Sequence, residues 1–426
     1  MMFTKNQLRD IHFLNKQLII IGDNVYDISN WIDKHPGGKK LLEHCIGRDV
    51  TNEFNIFHPK YVEKYLSSMY YGKSNNNDDN DLLILKETME KEGLFKNDIF
   101  YWIKKLLSLG LLLFFIVWGS YSDSQFIHII CAIGLGIFFQ QMAFIGHDAG
   151  HNGITGNKHI DSIIGLFVGN MLTGVGISWW KHNHNVHHVV TNSIENDPDI
   201  QHVPFLAVNS EYLKSDIYST FYNKFLGGNR MISRLLCSYQ HKLYYIIMSV
   251  ARINLYIQSL LHIINNKVDN AYVELFSLFI FYTWLSFLVY KFPNPILFLG
   301  ISHATAGILH VQITLSHYPM KTYRGIENFI TSQLDGTMNI ESSEYMDWFH
   351  GGLQFQIEHH LFPRLPRHNL RKAKKFVMEF CKLHKLSYKS VSFIEANRLL
   401  LKNLERVAIE SRGLSTIIIN GMNMIG

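Results

Sequence analysis

The chain has 426 residues, a formal charge of +5 from 40 basic and 35 acidic side chains, and 23 histidines against 4 cysteines. So small a charge on so long a chain is no footprint of nucleic-acid binding, and Cys45, Cys131, Cys237 and Cys381 form no CxxC pair, which argues against a disulfide scaffold and a cysteine zinc site. A mean hydropathy of +0.01 points to a mixture of soluble and membrane segments.

The first apolar run, Leu18–Ile21, is four residues long and ends at Gly22-Asp23-Asn24, too short for a signal peptide, so the N-terminus is expected to be cytosolic. Residues 1–72 read as a small soluble domain, with strands near 17–21 and 25–28 followed by short helices. Asn75–Asp81 is polar and acidic, and 73–98 reads as a linker. From about residue 99 the chain turns apolar. A helix crosses a bilayer with about 20 apolar residues, which predicts four spans at about 101–119, 126–146, 271–290 and 295–316. The run 163–177 is glycine-rich and too short, so a re-entrant or interfacial segment is expected there. Counting crossings from a cytosolic N-terminus makes residues 147–270 and everything after about 317 cytosolic. Lys181, Lys214, Lys224, Arg230, Arg234 and Lys242 fall on that side, as the positive-inside rule requires.

Three histidine clusters fall on this one side: His147-Asp-Ala-Gly-His151, His184-Asn-Val-His187-His188 and Gln356-Ile-Glu-His359-His360. Residues i, i+3 and i+4 share a helix face, so each cluster aims its imidazoles at one point. His317 closes the last span in the same layer. Imidazole sites suit Zn, Cu, Fe and Ni, and eight histidines suit two ions. The pattern is not the Glu-x-x-His of soluble di-iron bundles, and it points to iron and dioxygen. Asp148 and Glu358 are candidates to orient imidazoles, with a solvated role as the alternative. His182 breaks the register and reads as a supporting or solvent-facing residue; His128, His262 and His303 read as packing residues, and His310 as the least certain of the intramembrane histidines. In the small domain, His35-Pro-Gly-Gly38 makes a tight turn that lets a flat ligand approach, and with His58-Pro59 it offers two imidazoles able to clamp a haem iron, a site for electrons rather than for oxygen; an ordinary turn is the alternative.

Val25-Tyr-Asp-Ile28, Trp31, the HPGG turn, Gly47-Arg-Asp-Val-Thr51 and Phe57-His-Pro59 make residues 1–72 resemble a cytochrome b5 domain. The remainder resembles the membrane fatty-acid desaturases. Glutamine opening the third box, Gln356-Ile-Glu-His-His, marks their front-end branch with a fused b5 domain. The stretches Trp179-Trp180-Lys181, Asp197-Pro-Asp-Ile-Gln-His-Val-Pro204 and Trp348-Phe-His-Gly-Gly-Leu-Gln354 are similar both to sphingolipid long-chain-base Δ8 desaturases and to Δ6 acyl desaturases. The resemblance implies a small α+β haem domain, then an all-α four-span integral membrane domain (99–385) with a cytosolic helical cap, and a C-terminal helix and tail (386–426). It implies haem b held by His35 and His58, and two irons held by His147, His151, His184, His187, His188, His317, His359 and His360, with Gln356 near the metal. Dioxygen is the implied cosubstrate, with electrons from NADH through cytochrome b5 reductase. Trp180, His202, Gln354 and Gln356 are candidates for the lipid head group. The expected setting is the endoplasmic reticulum membrane, with both termini cytosolic and no nucleic-acid partner. The first alternative is a Δ6 or Δ5 acyl desaturase. A lipid hydroxylase would use the same site, and a haem or metal transporter would need ligands at bilayer depth.

Overall fold

In the computed structural model, residues 2–3, 16–74, 80–227, 230–265 and 268–423 are described. Leu18–Ile21 (β2) is rich in isoleucine, whose branched Cβ favours extended backbone. Gly22, at φ +58°, turns the chain into Asn24–Asp27 (β3), its antiparallel partner. With Met2–Phe3 (β1) and Tyr70–Ser74 (β4) these form a sheet in the order β1-β4-β3-β2. Lys39–Glu43 (α1) and Thr51–Phe57 (α2) follow, and Leu42 and Val50 share a core with Ile19, Ile21 and Tyr26. The last strand carries this domain to residue 74, slightly past the expected 72.

The stretch 73–98 is not a free tether. Asn75–Asp79 lie outside the described residues, but Asp81–Lys91 (α3) is a helix. Its Leu82, Leu85 and Met89, with Leu94 beyond it, are buried against Ile56 of the small domain and Phe362, Ala373 and Val377 of the cap. Its polar approach hid three leucine-class positions at helical spacing, and burial of these side chains holds the helix in place. The small domain is docked. Val186, Val189, Val190 and Phe221 complete its core, Lys40 donates to the Thr220 carbonyl (3.0 Å), and Lys86 donates to the Asn55 carbonyl (2.5 Å).

The apolar region begins with Ile99–Gly119 (α4), whose first turn is capped by Asp98, accepting from Phe100 N (2.9 Å) and Tyr101 N (3.2 Å). Gln125–Gly150 (α5) follows. Lys158–Gly165 (α6) continues as a π-helix to Leu172, and Ile177–Val189 (α7) leaves it at a bend of 112°. Next come Gln240–Asn265 (α8), Ala271–Tyr290 (α9), and the broken pair Pro295–Ala306 (α10) and Ile308–Leu315 (α11). The break falls at Gly307, where a Cβ would meet the Met248 carbonyl oxygen at 2.7 Å, so α8 can approach this closely only over a glycine.

Among the described residues, five helices are long and apolar enough to cross a membrane, α4, α5, α8, α9 and the α10–α11 pair, or six if the bent pair α6–α7 counts as one. The sequence pattern predicts four, and α8 is the addition. His187, before α8, and His317, after α11, have ring centroids 4.8 Å apart. A full crossing by α8, added to those of α9 and α10–α11, would separate them by a bilayer. Both ends of α8 are instead tied near the histidine layer. Gln240 donates to the Ala207 and Leu404 carbonyls (both 3.0 Å), Ser259 accepts from Gly176 N (2.8 Å), and the His262 ring lies 4.9 Å from His182. Ile246, Val250, Ile253 and Ile257 remain exposed on its outer side, which suits a helix lying in the membrane surface.

The cap is built from Phe329–Gly336 (α12), Asn339–Glu341 (β5) paired in parallel with Ser390–Ser392 (β6), Gln356–Leu361 (α13), Leu370–Leu383 (α14) and Phe393–Asn423 (α15). Ala396, Leu400, Leu404 and Val407 form a stripe at helical spacing that buries α15 against Leu206, Tyr212 and Leu315. The expected tail thus begins as part of one long helix, and residues 424–426 lie outside the described residues.

Candidate metal centre

The end of α5, the whole of α7, the end of α11 and the start of α13 converge below the cap. His147 and His151 come from consecutive turns at the end of α5. On α7, His187 and His188 lie three and four residues after His184, and on α13, His359 and His360 lie three and four after Gln356, so the adjacent pairs fan apart. Two groups result: His147, His151, His184 and His359; and His187, His317 and His360. Within each, the ligand nitrogens lie within 4.8 Å of one another. His188 belongs to neither group and stands between them, its ring 4.3 Å from His360 and 4.7 Å from both His151 and His184.

Hydrogen bonds behind the rings decide which nitrogen faces inward. His187 Nδ1 donates to Asp197 (2.9 Å), His147 Nδ1 to Asp148 (3.0 Å) and His184 Nδ1 to Asp199 (3.4 Å). His360 Nδ1 donates to Gln333 Oε1 (2.8 Å), and His317 Nδ1 to the Gly336 carbonyl (3.3 Å). Each bond makes Nδ1 the donor and turns Nε2 toward the layer, where His184 Nε2 meets His188 Nε2 at 3.1 Å. The buried Nε2 atoms of His151, His359 and His360 have no hydrogen-bond partner among the described residues. Unpaired buried nitrogens are costly without a ligand, and a donor set of imidazoles alone suits two transition-metal ions, so the residues fit two irons.

Electrostatics divide the layer. Burial and neighbouring imidazoles hold His188, His359 and His360 well below the ordinary histidine range, which keeps them neutral and able to bind a cation. Burial also pulls His187 down, but the charges of Asp197 and Asp199 outweigh it and raise the imidazole to about 9. A metal ion would take the place of that proton, with the carboxylates stabilising its charge.

The carboxylate expectations resolve unequally. Asp148 bonds His147 and is gripped by buried Arg367 (2.5 and 2.8 Å). Glu358 does not touch an imidazole. It accepts from Asn339 Nδ2 (2.7 Å) and the Tyr388 hydroxyl (2.6 Å), and Asn339 accepts from Ile357 N (3.0 Å). Position i+2 from Gln356 lies across the helix from the metal face, so Glu358 anchors α13 from behind. Gln333 and Arg367 carry no local sequence signal of a role here, and Asp197 and Asp199 stand in the sequence only as parts of the Asp197–Pro204 motif. The spacing Asp197-Pro-Asp199, which caps its own short turn (Asp199 N to Asp197 Oδ1, 2.8 Å), was the available signal.

Among the head-group candidates, Trp180 lies against the first histidine group, 4.5 Å from His184 and 5.2 Å from His147 and His151. Gln356 sits one turn before His359 and His360, with its Oε1 buried and unpartnered. Gln354 donates to Asp347 (2.8 Å) and keeps a buried, unpartnered Oε1. His202 is exposed beyond the Asp199 turn, with its ring 6.3 Å from Tyr318.

In the small domain the His35 and His58 rings face each other with centroids 5.9 Å apart. His58 Nδ1 donates to the Phe54 carbonyl (3.0 Å), leaving Nε2 for a metal. A side chain at Gly37 would strike the His35 ring at 2.7 Å, so the turn leaves room only for that imidazole. Two imidazoles opposed in this way fit a haem, whose iron His35 and His58 would hold between them.

Replacing Asp197 by asparagine removes the charge behind His187. Iron affinity is expected to fall by roughly 10–100-fold, the range for outer partners of ligating histidines, as read by titrating iron release with a chelator. Unchanged release would show that Asp197 does not support the ion.

Residues 124–392 match the family described as Fatty acid desaturase, and residues 4–75 match the Cytochrome b5-like Heme/Steroid binding domain. The chain is 40% identical to a Delta(8)-fatty-acid desaturase of Helianthus annuus, covering 97% of this chain and 92% of that relative. It is 37% identical to an Acyl-lipid (9-3)-desaturase of Borago officinalis (93% and 91%) and 32% identical to a Delta 8-(E)-sphingolipid desaturase of Komagataella phaffii (96% and 94%).

Proposed function

The chain belongs to the fatty acid desaturase family, with a cytochrome b5-like haem domain fused ahead of its membrane-helix domain, and from that premise we propose that this lipid desaturase forms the Δ8 double bond of sphingolipid long-chain bases. The observation that carries the reading is the paired histidine layer at the mouth of an apolar bundle, facing a two-histidine haem site. Relatives named for Δ8 desaturation, at 32–40% identity over nearly the whole chain and from plants and a yeast, favour the position. The acyl-lipid desaturase relative at 37% favours a fatty acyl chain as substrate, the second reading.

Bound iron supplies the oxidising power that an unactivated methylene requires, since such C–H bonds offer no acid or base a handle. The protein's part is to hold and orient. The eight histidines fix the ions, and Asp148, Asp197, Asp199 and Gln333 fix the histidines. On this reading Trp180, Gln354, Gln356 and His202 meet the head group, so that the chain lies across the metals at a set distance from it. Dioxygen is the oxidant, and NADH-cytochrome b5 reductase feeds the domain of His35 and His58. The enzyme sits in the endoplasmic reticulum membrane with both termini and the histidine layer on the cytosolic side.

The test is expression in a host without such enzymes, followed by mass-spectrometric profiling of sphingoid bases and fatty acids. A Δ8-unsaturated sphingoid base is expected. New double bonds in fatty acyl chains alone would move the assignment to the second reading, and a gain of one oxygen would replace desaturation by hydroxylation. His35→Ala is expected to abolish the haem absorbance and, with it, product formation without added donor. Full activity in that variant would show that the fused domain is not the electron source.

A further inference from the structure

We propose that Phe57 is the contact through which electrons pass from the haem domain to the histidine layer, in a domain that works docked rather than by shuttling on a tether. The inference rests on the desaturase reading above. Phe57 directly precedes His58 in the chain, and its ring meets His188 edge-on with centroids 6.2 Å apart, while Phe329 flanks it at 6.3 Å. His188 is the one clustered histidine between the two groups, within 4.8 Å, centroid to centroid, of His151, His184, His359 and His360. One aromatic ring therefore joins the neighbour of a haem ligand to the centre of the metal layer.

The docking that creates this contact is extensive. The Phe57 carbonyl accepts from Arg364 (3.5 Å), and the adjoining Asn55 carbonyl accepts from Lys86 (2.5 Å). On the other side of the domain, Lys40 donates to the Thr220 carbonyl (3.0 Å) and His44 Nε2 is hydrogen-bonded to the Thr220 hydroxyl (2.8 Å). Between them, α7 valines enter the core of the small domain. The α3 helix, buried on both domains, replaces the flexible tether that a shuttle would need. The step itself moves one electron. Haem iron(II) is oxidised to iron(III) and one ion of the layer is reduced from iron(III) to iron(II), with no bond broken and no proton moved.

The experiment uses the full chain, loaded with haem and iron and kept anaerobic without lipid, so that no turnover occurs. A flash reduces the haem and its reoxidation by the oxidised irons is followed by absorbance. Phe57→Leu is expected to slow that decay by roughly tenfold or more, since small losses of contact at a reacting junction have effects of this size. Phe57→Tyr, which keeps the ring, is expected to decay as the parent does. Haem spectrum and iron content confirm that each variant is intact. If leucine costs iron binding, Phe57→Met makes the same comparison with an apolar side chain of similar volume. An unchanged decay in an intact ring-less variant overturns the path. Added glycerol is expected to leave the decay unchanged, and slowing in proportion to viscosity overturns the docked mode. Absence of haem or iron from the parent protein instead overturns the desaturase reading on which the path rests.

Discussion

Replacing His187 by alanine is expected to abolish new double bonds in lipid extracts while leaving the haem absorbance of the protein intact. His187, His317 and His360 are mutual neighbours, with ring centroids 4.8–4.9 Å apart. His187 also receives the strongest outer support, from Asp197 at 2.9 Å. On the proposed reading, removing it takes a ligand from a three-histidine group, and it leaves the buried Asp197 without its imidazole partner. Losing an outer partner of a ligand costs roughly 10–100-fold in affinity or activity, and losing the ligand itself is expected to exceed that range. The haem histidines belong to a separately built core, which is why the spectrum should persist. Normal product from this variant would remove His187 from the metal site.

Arg367→Leu is expected to destabilise the protein strongly, by roughly 3–5 kcal/mol, the cost of stripping one partner from a buried ion pair. Arg367 and Asp148 are both buried, and the guanidinium grips the carboxylate with two bonds while also donating to the Phe144 carbonyl (2.7 Å). The lone carboxylate would then sit one residue from His147, so iron loss should accompany the fall in stability. The double variant Asp148→Asn with Arg367→Leu is expected to recover much of the loss, because it leaves no unpaired charge. Thermal unfolding in detergent, with iron content measured alongside, reads both effects. A single variant as stable as the parent, or a double variant no better than the single, would show that the pair is not what secures this end of α5.

Legibility followed sequence distance. The histidine groupings on α5, α7 and α13 could be seen in the chain, because residues three and four apart share a helix face whatever surrounds them. Gln333 behind His360, 27 residues away, and Arg367 behind Asp148, 219 away, could not be seen. Glu358 shows the reverse error: its place between two ligands suggested a role that the helix rotation denies it. The apolar runs of the sequence left α8 out of the four spans; its length and hydropathy as a helix would let it cross, and the 4.8 Å between His187 and His317 shows that it does not.

What the sequence by itself determined is local and periodic: a small sheet domain with two facing histidines, apolar segments of bilayer length, and three clusters of imidazoles at helical spacing. These follow from backbone geometry and hydrophobic pattern, which act over one or two turns. Only the tertiary structure decided how seven histidines divide into two groups with His188 between them, which carboxylates hold them, and that the haem domain is seated against the layer through Phe57. Those are contacts between residues far apart in the chain, and only close packing of the folded core brings such residues together.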